Sequence, residues 1–335
     1  MKKKPVIAVV GATGLVGNEM VVVLEQLKVP FSEVRLLASE NSSGERYKVG
    51  AYEATVEILD ENSFQGVDIA LFAVSADLAR KYVPIAIEHG AVVIDNSREF
   101  RLVKDVPLVV PEVNWHAVTE QTRLIANPNC STIQLVPVLQ AAHELAVLKR
   151  VVVSTYQAVS GAGKAALDEL WAQTVAICNQ KEVLQEEFQH QIAFNCIPQI
   201  DVIMEDGNTR EEFKIIHESR KILEIPDLRL SATAVRVPVF HSHAESVNIE
   251  TERDLPPEVF LKELEKRPGI LAFPAADEYP MQLAAASTDE IHVGRVRRDE
   301  SVPHGLNLWI VADNVRKGAA LNAVQIAKLL IEKFS

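Results

Sequence analysis

An apolar strand that runs directly into a glycine-rich loop is the feature that most constrains the fold of this chain. The segment Val6-Ile7-Ala8-Val9-Val10 is continuously apolar, as expected of a parallel strand buried on both faces. In a strand–loop–helix unit the first glycine permits a tight turn, the second lets a phosphate approach the backbone, and the third lets helix pack on strand. The loop therefore predicts a dinucleotide site at a helix N-terminus. The residues predicted to form it are Gly11, Thr13, Gly14, Leu15, Val16 and Gly17.

Segments of strand character continue at residues 34–38, 69–74, 91–94 and 108–110, with helical or looped segments between them. This βαβ alternation predicts an α/β fold with a doubly wound, Rossmann-like sheet that is mostly parallel.

The pattern changes in the second half of the chain. A helix is expected from Cys130 towards Leu148, and strands without regular helical crossovers follow it, which predicts a second α+β domain. Those strands are expected at 151–156, 231–239 and 247–251. The amphipathic segment 319–334 is expected to pack back on the first domain. The predicted domains are residues 1–129 with 318–335, and residues 130–317.

Composition narrows the classes of function and partner that this chain can have. A chain of 335 residues is long enough for about two domains. Its formal charge of -12 disfavours nucleic acid as a partner, so an anionic ligand would need a local cationic pocket. No apolar run approaches the ~18 residues that span a membrane, and no signal-like segment is seen, so a cytoplasmic protein is expected. The three cysteines have no CxxC spacing, and we expect no metal site.

One cysteine lies where a polar turn gives way to a long apolar helical pattern. It is Cys130, in Asn127-Pro128-Asn129-Cys130-Ser131-Thr132-Ile133-Gln134. A thiolate at a helix N-terminus is stabilised by unpaired backbone N–H groups and by the positive end of the helix dipole, so it can attack a carbonyl carbon. A lone cysteine is more often a small buried hydrophobic residue. The other motifs of the chain favour the nucleophile.

The tip of the second strand bears on the choice of cofactor. An acidic residue about twenty positions after the glycine loop favours NAD, whereas an arginine there receives the additional phosphate of NADP. Glu40 is in the NAD-like place, while Ser39, Asn41 and Ser42 can still donate hydrogen bonds to a phosphate. Local chemistry therefore leaves the choice between NADP and NAD open.

Three further motifs accompany the loop and the cysteine, at residues 154–164, 236–243 and 313–320, which read STYQAVSGAGK, RVPVFHSH and DNVRKGAA. With the cysteine motif they resemble the aspartate-semialdehyde dehydrogenase family along nearly the full chain. The resemblance implies reductive dephosphorylation of β-aspartyl phosphate to aspartate β-semialdehyde with NADPH, through a cysteine thioester. This reaction belongs to the biosynthesis of diaminopimelate, lysine, threonine, methionine and isoleucine. The resemblance also implies a homodimer formed through the second, catalytic domain.

The resemblance assigns catalytic roles to three residues. Cys130 resembles the acyl-thioester nucleophile, His243 the general acid/base, and Gln157 the residue that orients the thioester.

The resemblance also implies contacts with substrate and phosphate. Arg236 resembles the clamp on the substrate α-carboxylate, and Glu211 the carboxylate that holds its ammonium group. Arg101 and Lys214 resemble the phosphate-binding residues, supported by Asn129. The residues that resemble the nicotinamide side are Ser160, Gly161 and Asn322.

Chemistry supports a nucleophile and a histidine independently of the resemblance. Sulfur can first expel phosphate from an acyl phosphate, and the resulting thioester accepts hydride more readily. A histidine near the developing oxyanion suits the proton exchange. Arg236 and His243 are seven residues apart on one strand pattern, so they would point to opposite faces of a regular strand. We therefore expect a bulge or bend near Pro238.

Two positions depart from the family pattern. Asn41 and Glu45 stand where related enzymes usually have an arginine and a lysine near the 2′-phosphate of NADP. Each lost charge-assisted contact costs on the order of 1.5 to 3 kcal/mol. We therefore expect weaker selection for NADPH, with NADH accepted.

Two other functions remain in view. An N-acetyl-glutamyl-phosphate reductase shares the acyl-phosphate chemistry, but its acetylated amine would give Glu211 no cation to bind. A non-catalytic relative acting as a dinucleotide-binding module is the alternative from a different class.

Overall fold

The computed structural model describes residues 4–50 and 52–334. The strands are β1 (Val6–Val10), β2 (Glu33–Ala38), β3 (Arg46–Val49), β4 (Tyr52–Ile58), β5 (Ile69–Phe72), β6 (Val92–Asp95), β7 (Leu124–Ala126), β8 (Leu148–Gln157), β9 (Arg229–Arg236), β10 (His243–Thr251), β11 (Ile270–Ala272), β12 (Ile291–Asp299) and β13 (Gly305–Ala312). The α-helices are α1 (Leu15–Gln26), α2 (Ala76–Glu88), α3 (Pro111–Asn114), α4 (Cys130–Ala146), α5 (Lys164–Cys178), α6 (Arg210–Ile222), α7 (Pro257–Leu264), α8 (Gln282–Ala285) and α9 (Asn322–Phe334).

The chain forms two compact units. Unit 1 contains Met1–Pro128 and Ala319–Ser335, and unit 2 contains Asn129–Gly318. The sheet of unit 1 has the strand order β3-β4-β2-β1-β5-β6-β7, and its pairs are parallel except for the antiparallel pair of β3 and β4. This arrangement confirms the predicted Rossmann-like, mostly parallel sheet.

Both faces of this sheet are covered by apolar cores. Along β1, Ile7 and Val9 belong to one core, which includes residues of α1 and α9, whereas Ala8 and Val10 belong to another, which includes residues of α2. Burial on both faces explains why β1 is continuously apolar rather than alternating. Contacts between α1 and α9 confirm that the C-terminal amphipathic segment packs on the first unit.

The glycine loop follows β1 and is closely packed. Gly11 has a φ of +85°, and a Cβ there would lie 2.4 Å from the carbonyl oxygen of Ala73. A Cβ at Gly17 would lie 2.0 Å from the carbonyl oxygen of Gly11. Both positions therefore require glycine, the first for its backbone conformation and the second for the close approach of α1.

Two details of unit 1 differ from the sequence-based expectation. The predicted strand 108–110 is wrong, because Leu108 forms only an isolated bridge with Ala126 and the edge strand is β7. Pro107 and Pro111 flank that short run, and proline has no N–H with which to continue a ladder. The sequence analysis also missed β3 and β4, whose polar residues lack the pattern of a strand buried on both faces.

Unit 2 contains a mixed sheet with the order β11-β12-β13-β10-β8-β9. Strand β10 pairs antiparallel with β8, whereas β9 pairs parallel with it. Along β8 and β10 one set of alternate residues is buried and the other is largely half-buried or exposed. Helix α4 contacts β8 and β10, and α6 contacts β9 and α4. This architecture confirms the predicted second α+β domain.

The strand interruption between Arg236 and His243 is larger than the expected bulge or bend. Arg236 ends β9 and His243 begins β10, which lies on the other side of β8. The interruption near Pro238 is therefore a crossing between strands rather than a bulge. The predicted single strand 231–239 is wrong in its last three residues.

Within residues 4–50 and 52–334, we find no helix that is both long and apolar enough to cross a membrane.

Candidate active site

Cys130 is the first residue of α4 and is half-buried. The side chain of Asn129 caps the helix, because its Oδ1 accepts hydrogen bonds from the N–H groups of Ser131 at 3.0 Å and Thr132 at 3.4 Å. A Cβ at Gly318 would lie 2.9 Å from Cβ of Cys130, so a glycine is needed beside the cysteine. The predicted polar turn and helix start at Cys130 are thus present, although the helix ends at Ala146 rather than Leu148.

Two carboxylates of α6 hold Asn129 in place. Glu211 accepts a hydrogen bond from its Nδ2 at 2.8 Å, and Glu218 accepts one from its backbone N–H at 2.6 Å. Glu211 and Glu218 are seven residues apart, so they lie on one face of the helix. Helix α6 therefore fixes the residue that precedes the candidate nucleophile.

Glu211 also binds the end of β8 and the next turn of its own helix. Its Oε1 accepts a hydrogen bond from Nε2 of Gln157 at 3.1 Å, and its Oε2 lies 2.9 Å from Nζ of Lys214. Nζ of Lys214 also lies 3.2 Å from Oδ2 of Asp201. Burial raises the pKa of Glu211, but the charge of Lys214 and the three donors outweigh burial and lower it to about 2. Glu211 is therefore an ionised carboxylate inside the unit.

Arg236 and His243 meet at the backbone of Ala158. Nη1 of Arg236 donates to the carbonyl oxygen of Ala158 at 2.7 Å. The N–H of Ala158 donates to Nδ1 of His243 at 3.0 Å. A Cβ at Gly161 would lie 3.0 Å from Nη1 of Arg236 and 3.1 Å from Nε2 of His243. Burial lowers the pKa of His243 to about 3, and the neighbouring charge of Arg236 acts in the same direction. His243 is therefore a neutral imidazole near pH 7.

A polar network supports Ser160 and the residue before His243. Oδ1 of Asn314 accepts hydrogen bonds from Oγ of Ser160 at 3.1 Å and from the N–H of Ser242 at 3.0 Å. Ser242 has a φ of 70°, which is uncommon for a residue with a side chain. Its carbonyl oxygen accepts a hydrogen bond from Gln282 at 2.7 Å. Both backbone groups of this strained residue are thus fixed.

The residues predicted to bind the cofactor in unit 1 lie at the carboxyl ends of β1 and β2. This is the edge where ligands bind in open α/β sheets. The N-terminus of α1 follows Gly14, and neither a side-chain cap nor an acidic residue is present in its described first turn. The residues near the end of β2 are Ser39, which precedes a 3₁₀ turn over Glu40–Ser42, and Asn41 and Ser42 within that turn. Asn41 is exposed.

Arg101 and Asn322 are also in unit 1, and both are buried. Arg101 donates to the carbonyl oxygens of Ser97 at 3.0 Å and Asn96 at 2.8 Å. Nδ2 of Asn322 donates to the carbonyl oxygen of Val109 at 2.9 Å and to Oδ1 of Asn127 at 2.7 Å. These bonds occupy both hydrogens of the Asn322 amide group, so any cofactor contact would involve its oxygen.

In unit 2 the structure brings together the predicted residues of the catalytic chemistry. They are Asn129, Cys130, Gln157, Ser160, Gly161, Glu211, Lys214, Arg236 and His243. The sequence analysis missed Glu218, which the seven-residue spacing from Glu211 could have indicated. It also missed Asn314, although this residue lies in the motif at 313–320.

Glu245 is a third missed residue, and it lies two residues after His243 on the same face of β10. It is fully buried, and neither carboxyl oxygen has a hydrogen bond of normal geometry within the described residues. Burial raises the pKa of Glu245 well above its ordinary value, and the amide of Gln134 offsets this only in part. Burial therefore favours the protonated form of Glu245 in the folded unit.

Comparison with known proteins defines the class to which these two units belong. Residues 6–121 match the family model described as semialdehyde dehydrogenase, NAD binding domain, and residues 114–317 match that described as semialdehyde dehydrogenase, dimerisation domain. The chain therefore belongs to the semialdehyde dehydrogenase class, whose two domains match successive parts of its sequence.

Individual relatives narrow this class. The chain is 49% identical over 333 residues to the aspartate-semialdehyde dehydrogenase of Aquifex aeolicus, covering 98% of both chains. It is 47% identical over 331 residues to aspartate-semialdehyde dehydrogenase 2 of Vibrio cholerae, again covering 98% of both. A crystal structure of aspartate semialdehyde dehydrogenase II from Vibrio cholerae, complexed with ASA, has a TM-score of 0.97 and 45% identity and covers 100% of both chains. The chain belongs to the aspartate-semialdehyde dehydrogenase family.

The protonated state of Glu245 leads to a prediction about stability. Between the ordinary pKa of a carboxyl group and the raised pKa of Glu245, the unfolded chain has lost a proton that the folded chain keeps. This carboxyl group therefore lowers the free energy of unfolding by up to about 1.4 kcal/mol for each unit of rising pH. Glu245→Gln removes that dependence. We expect urea denaturation to show a variant that gains stability over the wild type as the pH rises above the ordinary pKa of a carboxyl group.

The exposed Glu252 supplies the matched control. Its carboxyl group is solvated in both states, so Glu252→Gln should show no such gain. A constant difference between Glu245→Gln and the wild type over this pH range would contradict a protonated Glu245.

Proposed function

We propose that this protein is an aspartate-semialdehyde dehydrogenase that converts β-aspartyl phosphate and NADPH to aspartate β-semialdehyde, phosphate and NADP. It would act in amino-acid biosynthesis. The observation that carries this proposal is a cysteine at a capped helix N-terminus in the same unit as a buried carboxylate, a buried guanidinium group and a histidine. A site that offers a nucleophile, a carboxylate and a guanidinium group suits an amino-acid derivative, which carries both an ammonium and a carboxylate group.

Covalent chemistry at Cys130 explains how phosphate leaves. The thiolate sulfur attacks the acyl carbon of β-aspartyl phosphate, a C–S bond forms, and the C–O bond to phosphate breaks. Phosphate departs with the bonding electron pair, which leaves a thioester on the enzyme. When bound, the dinucleotide supplies the hydride that reduces this thioester. The thiolate is then released from the aldehyde product.

Charged side chains of unit 2 would recognise the rest of the substrate. Arg236 presents a buried guanidinium group that suits the α-carboxylate, because a planar fork can donate two parallel hydrogen bonds. The ionised Glu211 suits the α-ammonium group. The proposed partners of the phosphate are Lys214 and Arg101, supported by Asn129. Asn129 and Lys214 both bind Glu211.

Residues of the glycine loop would hold the dinucleotide. Since a Cβ is excluded at Gly11 and Gly17, the loop brings its backbone close to Ala73, which follows β5, and to the first turn of α1. That turn offers N–H groups without a competing side-chain cap, which suits a pyrophosphate. Ser160 and Gly161 of unit 2 and Asn322 of unit 1 are the proposed nicotinamide contacts.

We propose NADP as the usual cofactor, with weak selection against NAD. Ser39, Asn41 and Ser42 at the end of β2 supply neutral donors for a 2′-phosphate. Position 45, where related enzymes usually have a lysine, is Glu45, so no cation is present there. Glu45 accepts a hydrogen bond from the hydroxyl group of Tyr47 at 3.1 Å. Neutral hydrogen bonds are weaker than charge-assisted ones.

We further propose that the protein is a homodimer in which a second copy covers the exposed face of the unit 2 sheet. Tyr156 and Trp309 on that face contact each other, with ring centroids 5.2 Å apart. Nearby, Met281 is 56% exposed and Leu283 is 89% exposed. Large exposed apolar side chains on one face are typical of an interface, and the matching family model names a dimerisation domain.

Replacing the nucleophile tests the reaction. Cys130→Ala should reduce the phosphate- and semialdehyde-dependent reduction of NADP to background, because no other group forms the thioester. Cys178→Ala and Cys196→Ala, at two exposed cysteines, should keep wild-type rates. The measurement is NADPH absorbance with each substrate omitted in turn. Residual activity of Cys130→Ala above that of the no-enzyme control would rule out the covalent route.

The ratio of kcat/KM for NADPH and NADH tests cofactor selection. We expect the wild type to prefer NADPH by less than about a hundredfold. Asn41→Arg should raise this preference about tenfold or more, because it restores a charge-assisted phosphate contact. Gln26→Arg adds the same charge at the C-terminal end of α1 and should leave the ratio unchanged. A wild-type preference well above a hundredfold would contradict weak selection.

Light scattering during gel filtration tests the dimer. The wild type should have twice the 37.0 kDa mass of one chain. Leu283→Asp should shift the mass towards that of one chain, because a carboxylate would be buried without a partner. Val259→Asp places the same charge at an exposed position of α7 and should leave the mass unchanged. A wild-type mass of one chain would refute the homodimer.

A further inference from the structure

Lys214 of α6 lies between two carboxylates that come from different parts of unit 2. Its Nζ is 2.9 Å from Oε2 of Glu211, one turn earlier on the same helix, and 3.2 Å from Oδ2 of Asp201, in the segment that precedes α6. The side chains of Lys214 and Asp201 keep 16% and 19% of their surface exposed. A dissolved anion can therefore reach this pair.

The pair is connected to the start of α4 through Glu211. Oε1 of Glu211 accepts a hydrogen bond from Nδ2 of Asn129 at 2.8 Å, and Asn129 immediately precedes Cys130. One carboxylate therefore separates the ammonium group of Lys214 from the residue before the candidate nucleophile.

Glu211 cannot give up Lys214 without a large cost. It is buried, and the other donors to its carboxylate are the side-chain amides of Asn129 and Gln157. Without Lys214 it would be a buried anion held by neutral donors alone, and a buried charge is costly unless it is paired. The contact between Glu211 and Lys214 is therefore the permanent one.

Asp201 is in a different position, because it has other partners and access to water. Its Oδ1 accepts a hydrogen bond from the N–H of Val202 at 2.9 Å and lies 3.6 Å from Nη1 of Arg210. Without Lys214 it would keep a backbone donor, a nearby cation and its exposed surface. An incoming anion would therefore displace Asp201 from Lys214, and not Glu211.

The local backbone also holds Asp201 in this place. Its φ of +68° is in the left-handed region, which aspartate and asparagine adopt more readily than most residues with a side chain. Burial raises the pKa of Asp201, but the N–H of Val202 and the charge of Lys214 outweigh burial and lower the pKa. Asp201 is thus an anion at neutral pH.

We propose that Asp201 is a competing counter-ion of Lys214, which it binds while the site is free of phosphate and releases when phosphate binds. This inference rests on the proposed function, in which Lys214 is a partner of the phosphate. Because the carboxylate and the phosphate have charges of the same sign, Asp201 lowers the affinity of the site for phosphate. Phosphate is a product of the proposed reduction, so Asp201 favours its release.

A role in positioning alone predicts the opposite sign. If Asp201 only held Lys214 in the direction of the phosphate, removing its charge would weaken phosphate binding. If Asp201 competes with phosphate, removing its charge strengthens phosphate binding. The direction of the change therefore separates the two roles.

Asp201→Asn tests the competition in the enzyme. Asparagine keeps the size of the side chain, adopts the left-handed conformation, and still has an oxygen that accepts from the N–H of Val202. In the phosphate-dependent oxidation of the semialdehyde, we expect KM for inorganic phosphate to fall about threefold or more, with KM for the semialdehyde changed little. An unchanged or higher KM for phosphate would overturn the proposal.

Asp206→Asn is the matched control. It makes the same change of charge in the same segment, at an exposed residue whose carboxylate binds Asn208. It should leave KM for phosphate at the wild-type value. An equal fall in both variants would show a general effect of net charge and would contradict a specific role of Asp201.

Thermal unfolding with inorganic phosphate tests the same affinity without turnover. A ligand that binds only the folded state raises Tm by an amount that grows with its affinity. At one subsaturating phosphate concentration, with chloride of equal ionic strength as reference, the rise in Tm should be larger for Asp201→Asn than for the wild type or Asp206→Asn. Equal rises would contradict the proposal. Failure of the proposed function would be seen separately, as a wild type without phosphate-dependent reduction of NADP.

Discussion

The buried carboxylate of Glu211 is the group on which the geometry of the candidate site depends. It accepts hydrogen bonds from Asn129 and Gln157 and pairs with Lys214, so one group connects the start of α4, the end of β8 and a turn of α6. A buried charge is costly unless it is paired and hydrogen-bonded. Here the partners outweigh burial, since the pKa of Glu211 is lowered despite desolvation. The same ionised state makes Glu211 suitable for an ammonium group of a substrate.

Local sequence patterns predicted the parts of the fold that depend on local forces. The continuous apolar run of β1, the glycine loop and the amphipathic α9 each carry their own signal, and each is present. The false strand at 108–110 and the missed β3 and β4 lie where short or polar segments are decided by tertiary pairing. In the same way, the crossing from Arg236 to His243 could be predicted as an irregularity, but not as a passage across β8, because strand order is a property of the whole sheet.

The site residues that were predicted differ in the same way from those that were missed. Cys130, Gln157, Arg236 and His243 were found because their motifs match a family, and the contacts of unit 2 place them in one network. Glu218 was missed because it accepts from the backbone N–H of Asn129, and Asn314 because its amide oxygen accepts from Ser160 and Ser242, which are distant in the sequence. Ala158 could not be found from residue type, since only its backbone takes part and any residue except proline would supply the same two groups.

Glu245 and His243 are two buried titratable groups of β10 whose neutral forms are favoured. Both are fully buried, and burial shifts the pKa of each towards the neutral form. A neutral histidine beside Arg236 avoids a second buried cation, and a neutral Glu245 on the same face of β10 avoids a buried anion without a cationic partner. Glu211 and Arg236 are therefore buried charges that His243 and Glu245 do not add to. The ring of His243 is therefore neutral near pH 7, and its position depends on the backbone N–H of Ala158, the residue that follows β8.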